Sequence, residues 1–276
     1  MQADPATEAA EIQLLLEAIR SRYGYDLSGY APASIHRRVR SALAKSGLGS
    51  VGQLKGRLCA DPDFFARFFD DLTVRVSELY RDPSFYRTFR ERVTPLLRTT
   101  PRLNLWIAGC AGGEEAYSIA ILLGEAGLGE RSQIYATDLS ARALEQAQQG
   151  VYPVSSLVAL RENYRKSGGT ADPQSYTTLA YDRMVFRESL RRNISFFRHD
   201  LVGDHVFAAM QVILCRNVLI YFGAGLKDRV IQKFSESLCP GGFLCLGGSE
   251  RLPRSAANLY DDFAPDDRIY RRGWAT

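Results

Sequence analysis

Apolar residues in the first 92 positions of the chain recur with helical spacing. Three stripes, in which apolar side chains lie three or four positions apart, predict helices at Ile12–Ile19, Ile35–Leu43 and Phe64–Leu72. We therefore predict an all-helical N-terminal domain over residues 1–92, followed by a linker over residues 93–101.

From residue 102 onwards the pattern changes to short apolar strands that alternate with amphipathic helices. The predicted strands are Leu103–Ala108, Gln133–Thr137, Ile194–Phe197, Val212–Cys215, Phe243–Leu246 and Arg268–Arg271. The predicted helices are Glu114–Ala126, Ala141–Gln149 and Leu226–Leu238, with stops at Gly127, Gly150 and Pro240–Gly242. Ser140 is a suitable N-cap for the second of these helices. The alternation predicts an α/β domain over residues 102–276, with a parallel sheet and helices on both faces.

Residues 152–193 interrupt this alternation. They are polar and contain the run Lys166–Thr170, which is followed by a weakly alternating segment at Tyr176–Phe186. Such alternation is typical of short antiparallel strands. We expect a small antiparallel β subdomain, inserted between the second and third parallel strands.

The composition limits the possible classes of protein. With 46% hydrophobic and 24% charged residues, the chain is typical of globular proteins. Since no run of 18 apolar residues occurs, we expect no membrane insertion, and the N-terminus lacks the basic start and apolar core of a secretory signal. Five scattered cysteines without a C-x-x-C pair argue against zinc and favour buried free thiols in a reducing cytoplasm. The three histidines show no metal or triad spacing, so no metal is predicted.

The charge distribution says more than the net charge of +4. From Leu27 to Ala60 there is no Asp or Glu, whereas basic residues occur at Arg37, Arg38, Arg40, Lys45, Lys55 and Arg57. This stretch is either a docking surface for an acidic partner or a solvated helix face. Nucleic acid fits less well, because no aromatic residues are interleaved with the basic ones.

The segment Asn104–Ala120 reads as a buried strand, a glycine-rich turn and the start of a helix, a typical cradle for a nucleotide-like cofactor. Gly109 and Gly112 would let the backbone approach the ligand, and the helix start would present free N–H groups. Asp138, at the end of the next strand, is suited to accept hydrogen bonds from a ribose diol. This pattern alone does not decide between a dinucleotide and S-adenosylmethionine.

The chain resembles the CheR-type methyltransferases, which methylate glutamate side chains of chemoreceptors. The matching stretches are Leu72–Asp82, Trp106–Ala120, Tyr135–Leu139, Cys215–Phe222 and Gly247–Glu250. Two of them are strong family markers, namely Cys-Arg-Asn-Val-x-Ile-Tyr-Phe and Gly-Glu-Glu-x-Tyr-Ser. The resemblance implies a Rossmann-like class I methyltransferase domain, S-adenosylmethionine as cofactor and S-adenosylhomocysteine as product.

The resemblance also implies roles for residues around the cofactor. Ser77 and Arg81 should reach over it from the helical domain. Glu115 should contact its amino-acid part, and Asp138 its ribose.

Four further residues should complete the cofactor site. Asp200 and Leu201 should flank the adenine, and Arg216 and Asn217 should line the pocket. The segment that carries Ser77 departs from the family pattern, since Arg75 stands where a small polar Asn is usual. Arg75 is a further candidate cofactor contact and could change which substrate is accepted.

Arg81 and Tyr221 are the candidate catalytic residues. A glutamate carboxylate is already ionised near pH 7, so the reaction needs no general base. Catalysis then consists of aligning the carboxylate with the methyl group and excluding water. Arg81 would orient one carboxylate oxygen through a charge-assisted hydrogen bond, and Tyr221 would donate to the carboxylate or position it.

The expected partner is the acidic helical cytoplasmic region of a chemoreceptor. It would dock on the basic helix through Arg37, Arg38, Arg40 and Lys45. The resemblance implies a cytoplasmic monomer that can be recruited to membrane receptor arrays. Two alternatives stay open: a methyltransferase for a small molecule or another protein, and a binding module that senses the cofactor or its product.

Overall fold

The computed structural model describes residues 5–72 and 77–274. The first range is a bundle of four helices: α1 (Pro5–Tyr23), α2 (Pro32–Ser46), α3 (Val51–Ala60) and α4 (Pro62–Leu72). Leu15, Val39 and Leu54 are fully buried between them. The three predicted helices are confirmed, and α3 was not predicted. Its N-cap is Ser50, whose hydroxyl oxygen accepts a hydrogen bond from the backbone N–H of Gln53.

A helical segment follows the bundle and leads into the sheet. It consists of α5 (Pro83–Thr88), a π-helical turn (Phe89–Val93) and α6 (Thr94–Leu97). Its buried aromatic side chains, Phe85 and Phe89 among them, pack into the core beneath the sheet and not into the bundle. This segment therefore belongs by its packing to the core of the sheet.

The strands and remaining helices follow in alternation. The strands are β1 (Leu103–Ala108), β2 (Ser132–Asp138), β3 (Val151–Pro153), β4 (Thr177–Ala180), β5 (Arg183–Phe186), β6 (Ile194–Arg198), β7 (Met210–Cys215), β8 (Leu238–Leu246), β9 (Tyr260–Ala264) and β10 (Ile269–Arg272). The helices are α7 (Glu114–Glu125), α8 (Ala141–Gln149), α9 (Ser156–Lys166), α10 (Glu188–Arg191) and α11 (Ala224–Ser237).

A seven-stranded sheet has the order β6-β2-β1-β7-β8-β10-β9. The five strands β6, β2, β1, β7 and β8 are parallel to one another. Strand β10 is antiparallel to both of its neighbours, β8 and β9. The predicted mostly parallel sheet is thus confirmed. The chain order reverses at β1, which lies between β2 and β7. A crevice is expected outside the carboxyl ends of the strands at such a reversal, and these ends carry the predicted site residues.

The predicted insertion is confirmed as a separate three-stranded antiparallel sheet of order β3-β5-β4, between β2 and β6 in the chain. It also contains α9, a helix that the sequence analysis did not assign. Several hydrogen bonds tie the insertion to the rest of the chain, and two of them lie close to the predicted site. The Tyr152 hydroxyl donates to the carbonyl of Gly112 at 2.6 Å, and the Asn163 side-chain amide donates to the carbonyl of Leu79 at 3.0 Å.

One predicted helix stop is wrong. Pro240–Gly242 does not follow α11 as a loop but belongs to β8, because the chain passes directly from Ser237 into the strand. A Cβ added to Gly242 would lie 2.9 Å from the carbonyl oxygen of Gln211, so the strand needs glycine here to approach β7. The pairing of β7 with β8 shifts register at this point.

A short loop of the bundle docks on the sheet domain through backbone hydrogen bonds. The N–H of Ala31 donates to the carbonyl of Tyr221 at 2.9 Å, and the N–H of Gly223 donates to the carbonyl of Gly29 at 2.8 Å. Tyr30 and Phe222 thereby form an isolated antiparallel bridge. This bridge fixes the bundle over the carboxyl edge of the sheet.

All five cysteines lie within the described ranges and are free, and Cys110, Cys215 and Cys245 are buried. Among the described residues, no helix combines the length and apolar character needed to cross a membrane.

Candidate functional site

A cavity of about 170 Å³ lies at the carboxyl edge of the sheet, between the sheet and the helical bundle. Ten predicted site residues line it: Ser77, Arg81, Gly109, Glu115, Asp138, Asp200, Leu201, Arg216, Asn217 and Tyr221. Gly112 is not among the lining residues, and Arg75 lies outside the described residues. The structure therefore brings most of the predicted site together around one space.

The glycine-rich turn after β1 forms one wall. Gly109 has a φ of +82°, a conformation that favours glycine, and its N–H donates to the carbonyl of Thr137 at 2.8 Å. A Cβ added here would lie only 2.5 Å from a methyl carbon of Val218. The position thus requires glycine both for its backbone conformation and for its close contact with the loop after β7.

Asp138 anchors this turn to the next helix. One of its carboxylate oxygens accepts the N–H of Ala111 and the other that of Ser140, each at 2.9 Å. Asp138 therefore shapes the cavity in addition to lining it.

Arg216 is the central charged group of the site. Its guanidinium donates to Glu115 at 2.6 Å, to the carboxylate of Asp82 at 2.9 Å and to the carbonyl of Arg81 at 3.3 Å. Its side chain is only 3% exposed and lies over the ring of Phe85, 4.1 Å from the centroid. Burial opposes its charge, yet the neighbouring acidic groups, Glu115 foremost, raise the pKa of Arg216 above its usual value. It therefore stays charged and orients Glu115.

Three elements hold the segment that carries Ser77 and Arg81. The N–H of Tyr80 donates to the hydroxyl of Ser118 on α7 at 2.9 Å. Asn163 of the insertion donates to the carbonyl of Leu79, and Arg216 donates to the carbonyl of Arg81. The position of Arg81 thus depends on the sheet, the insertion and α7 together.

The loop after β6 supplies Asp200 and Leu201. One Asp200 carboxylate oxygen accepts the N–H of Val202 at 2.8 Å. Lys233 of α11 donates to the carbonyls of Leu201 and Val202 at 3.1 and 3.0 Å. Burial lowers the pKa of Lys233. The loop is therefore fixed by a cation and presents the buried side chain of Leu201 to the cavity.

The bundle closes the cavity with residues that the sequence analysis did not single out. Leu27 and Tyr30 line it from the loop between α1 and α2. Tyr30 contacts Phe222 edge-on, with ring centroids 5.0 Å apart, and burial raises its pKa above the usual value. No local pattern marks these residues, because their contacts are with a segment far away in the chain.

Two family models match the chain. Residues 10–73 match the CheR methyltransferase all-alpha domain, and residues 75–264 match the CheR methyltransferase SAM-binding domain. The chain belongs to the CheR methyltransferase family. Cher3 of Pseudomonas putida is 45% identical to it over 263 residues, which cover 95% of this chain and 96% of that protein. The chemotaxis protein methyltransferase of Listeria innocua is 34% identical over 237 residues, which cover 85% of this chain and 87% of that protein.

S-adenosylmethionine is accordingly the cofactor, as predicted, and the cavity of this CheR family member fits it chemically. The cofactor carries an ammonium group, a ribose diol and an adenine. The cavity offers the carboxylates of Glu115, Asp138 and Asp200 together with apolar walls from Leu27 and Leu201.

The residues predicted for docking on α2 differ in their exposure. Arg37 is exposed and has no ion pair among residues 5–72 and 77–274. Arg40 is exposed but donates to both carboxylate oxygens of Glu8, at 2.9 and 2.7 Å, and Lys45 pairs with Asp71 at 2.8 Å. The basic stretch is therefore partly neutralised within the bundle.

Arg38 does not lie on the exposed surface that docking requires. It is 9% exposed, and its guanidinium donates to the carbonyl of Asp71 at 3.2 Å. Burial lowers the pKa of Arg38. The expected contact between this residue and a receptor must be corrected, because its side chain turns inward towards the cavity wall.

Proposed function

We propose that this protein transfers the methyl group of S-adenosylmethionine to glutamate side-chain carboxylates of a chemoreceptor. The products are a glutamate methyl ester and S-adenosylhomocysteine. One observation carries the proposal: Arg81 and Tyr221, the candidate catalytic pair, line the same cavity as the candidate cofactor ligands Glu115 and Asp138. The names of relatives such as the Listeria innocua chemotaxis protein methyltransferase support it.

Within this proposal the cofactor residues have separate roles. Glu115, oriented by Arg216, accepts hydrogen bonds from the ammonium group of the cofactor. Asp138 accepts them from the ribose diol, and Asp200 and Leu201 flank the adenine. Ser77, Gly109 and Asn217 complete the walls. The predicted roles of Gly112, which does not line the cavity, and of Arg75, which lies outside the described residues, stay proposals.

In the proposed reaction, Arg81 and Tyr221 act by orienting the acceptor carboxylate. When bound, the cofactor supplies an electrophilic methyl group on a positively charged sulfur. Arg81 holds one oxygen of the incoming carboxylate and leaves the other free to attack, while the Tyr221 hydroxyl positions the same group. No residue has to remove a proton, since the acceptor is ionised near neutral pH. The charges of the two reactants cancel as the methyl group moves, so the low-dielectric cavity favours transfer.

The proposed partner is the acidic helical part of a chemoreceptor. Arg37, Arg40 and Lys45 lie on the exposed side of α2 and its end, where they can attract acidic side chains. The pair of Lys45 with Asp71 is exposed on both sides and worth little, so a partner can replace it at low cost. Arg40 holds Glu8 through both carboxylate oxygens, so a partner must compete with a stronger pair there.

The test is transfer of labelled methyl from S-adenosylmethionine to a purified receptor cytoplasmic fragment. We expect alkali-labile label with the parent protein and a loss of at least about 100-fold with Arg81→Ala. Label that resists alkali would rule out a carboxyl ester. Binding of S-adenosylhomocysteine by the parent without transfer to any receptor fragment would contradict the receptor substrate and favour a different acceptor.

A further inference from the structure

Glu250 lies just beyond the cavity. It accepts hydrogen bonds from several backbone N–H groups, and none of the roles described above explains these contacts. Strands β7 and β8 run parallel, with Cys215 opposite Leu246, and their chains diverge immediately afterwards. The carboxylate of Glu250 fills the gap between them. One oxygen accepts the N–H groups of Asn217 at 2.9 Å and Gly247 at 2.6 Å.

The second oxygen of Glu250 accepts the N–H of Ile220 at 3.2 Å. A single carboxylate therefore holds both ends of the loop that begins with Asn217 and leads to Tyr221. Glu250 is only 4% exposed, so these backbone groups have little access to water as a replacement partner. Loss of such an acceptor leaves buried N–H groups unpaired, which is costly.

Two neighbouring features show that this arrangement is tightly determined. Asn217 has a φ of +61°, in the left-handed region that few residues other than glycine and asparagine adopt. A Cβ added to Gly247 would lie 2.7 Å from the Glu250 carboxylate and 2.8 Å from the Asn217 nitrogen. Glycine at 247 therefore makes room for the carboxylate.

We infer that Glu250 is a positioning residue, which sets Asn217 against the cofactor and Tyr221 against the acceptor without touching either ligand. It is not among the residues that line the cavity. The part of this inference that concerns Tyr221 rests on the proposed function, whereas the part that concerns Asn217 rests only on cofactor binding.

Glu250→Gln is the variant that tests the role. Glutamine keeps the shape of the side chain but has one acceptor oxygen, so its amide nitrogen must face either Ile220 N–H or the N–H pair of Asn217 and Gly247. We expect amide hydrogen exchange to accelerate at Ile220 or Asn217. Affinity for S-adenosylhomocysteine should fall about fivefold and kcat about tenfold, with KM for the receptor fragment nearly unchanged.

Glu125→Gln is the matched control. Its carboxylate is also largely buried and accepts hydrogen bonds from Tyr176 at 2.9 Å and Arg90 at 2.7 Å, but it does not line the cavity. It should lower Tm while leaving cofactor affinity and kcat unchanged. Gly247→Ala, which displaces the Glu250 carboxylate without removing it, should reproduce the Glu250→Gln effects.

The outcomes separate the two proposals. If the parent methylates no receptor fragment, the receptor assignment fails, while calorimetric titration with S-adenosylhomocysteine and amide exchange still decide on Glu250. Parent-like affinity and exchange in Glu250→Gln would overturn the positioning role. So would an equal loss of affinity in Glu125→Gln, because the effect would then be one of general stability.

Discussion

The guanidinium carbon of Arg38 lies 4.9 Å from the centroid of the Tyr221 ring. A cation at this distance over an aromatic face is attracted by the ring quadrupole, more strongly when both groups are shielded from water. Arg38 belongs to α2, the helix proposed to meet the receptor, and Tyr221 is a candidate catalytic residue. The contact thus joins the proposed docking helix directly to the candidate catalytic residue.

We expect Arg38→Met to lower kcat and stability together. Methionine keeps the apolar length but loses both the cation over Tyr221 and the hydrogen bond to the carbonyl of Asp71. The free energy of unfolding should fall by about 1–3 kcal/mol, since a charged hydrogen bond in a buried place is lost. Urea unfolding and methyl-transfer rates measure the two effects.

The neighbouring exposed Arg37 is the control for this variant. Arg37→Met should leave stability unchanged and raise KM for the receptor fragment, an effect that weakens at high salt. If Arg38→Met instead changes only KM, the side chain acts in docking, and the inward orientation has no role in catalysis.

Asp138→Asn should weaken binding of S-adenosylhomocysteine by about tenfold. The amide offers one acceptor oxygen, whereas the carboxylate accepts the N–H groups of Ala111 and Ser140 with separate oxygens and, in its proposed role, also binds the ribose. Isothermal titration calorimetry measures the affinity. Asp172→Asn is the control. The exposed Asp172 carboxylate accepts the N–H of Gln174 and does not line the cavity, so this variant should bind S-adenosylhomocysteine like the parent. Parent-like binding by Asp138→Asn would remove the ribose assignment.

Gly109→Ala should abolish cofactor binding while the protein still folds. The added methyl group would meet Val218 at 2.5 Å, and the positive φ would be strained as well. Equilibrium binding of S-adenosylhomocysteine, together with a circular dichroism spectrum, separates the two properties.

Gly124→Ala in α7 is the matched glycine variant, because a Cβ there meets nothing within 4 Å. It should bind like the parent and gain up to about 1 kcal/mol in stability from helix propensity. A Gly109→Ala protein that binds normally would show that the backbone of this turn does not approach the cofactor.

Glu114→Gln should stabilise the protein at neutral and higher pH. Burial raises the pKa of the Glu114 carboxyl above its usual value of 4.5, although its backbone N–H and Ser77 oppose the shift. The folded state therefore binds this proton more tightly than the unfolded state. Stability is lost as pH rises from the unfolded to the folded pKa, and the loss is complete above that window.

The gain from Glu114→Gln should consequently be large at about pH 8 and near zero at about pH 4 in urea unfolding. One Glu114 carboxylate oxygen is buried without a hydrogen-bond partner among the described residues, which is consistent with this penalty. The exposed Glu130→Gln should show no such gain. A gain of equal size at both pH values would mean that the effect does not come from ionisation.

Local signals in the sequence predicted the elements that local chemistry determines. The bounds predicted for α8 match the structure because the hydroxyl of Ser140 accepts the N–H of Ala143 and Gly150 ends the helix with a φ of +63°. The helix α3 also had a signal, since Val51, Leu54 and Leu58 follow the cap at Ser50 with helical spacing. That helix was predictable and was missed.

Other features could not be predicted from local pattern. The strand β9 contains Asp261 and Asp262, whose charge hides its strand character. Tyr30 and Glu250 matter through contacts with segments distant in the chain, and no spacing rule reveals such contacts. The inward turn of Arg38 likewise depends on Tyr221, which the sequence places more than 180 residues away.

The bridge between Tyr30 and Phe222 has a consequence for biosynthesis. Its partners are nearly two hundred residues apart. At ordinary rates of translation, Tyr30 leaves the ribosome roughly 10 to 40 s before Phe222. The helical bundle can fold within that interval, but the cofactor cavity has no complete wall until β7 and its following loop emerge. A nascent chain should therefore acquire the ability to bind S-adenosylhomocysteine only after β7 and its following loop have emerged.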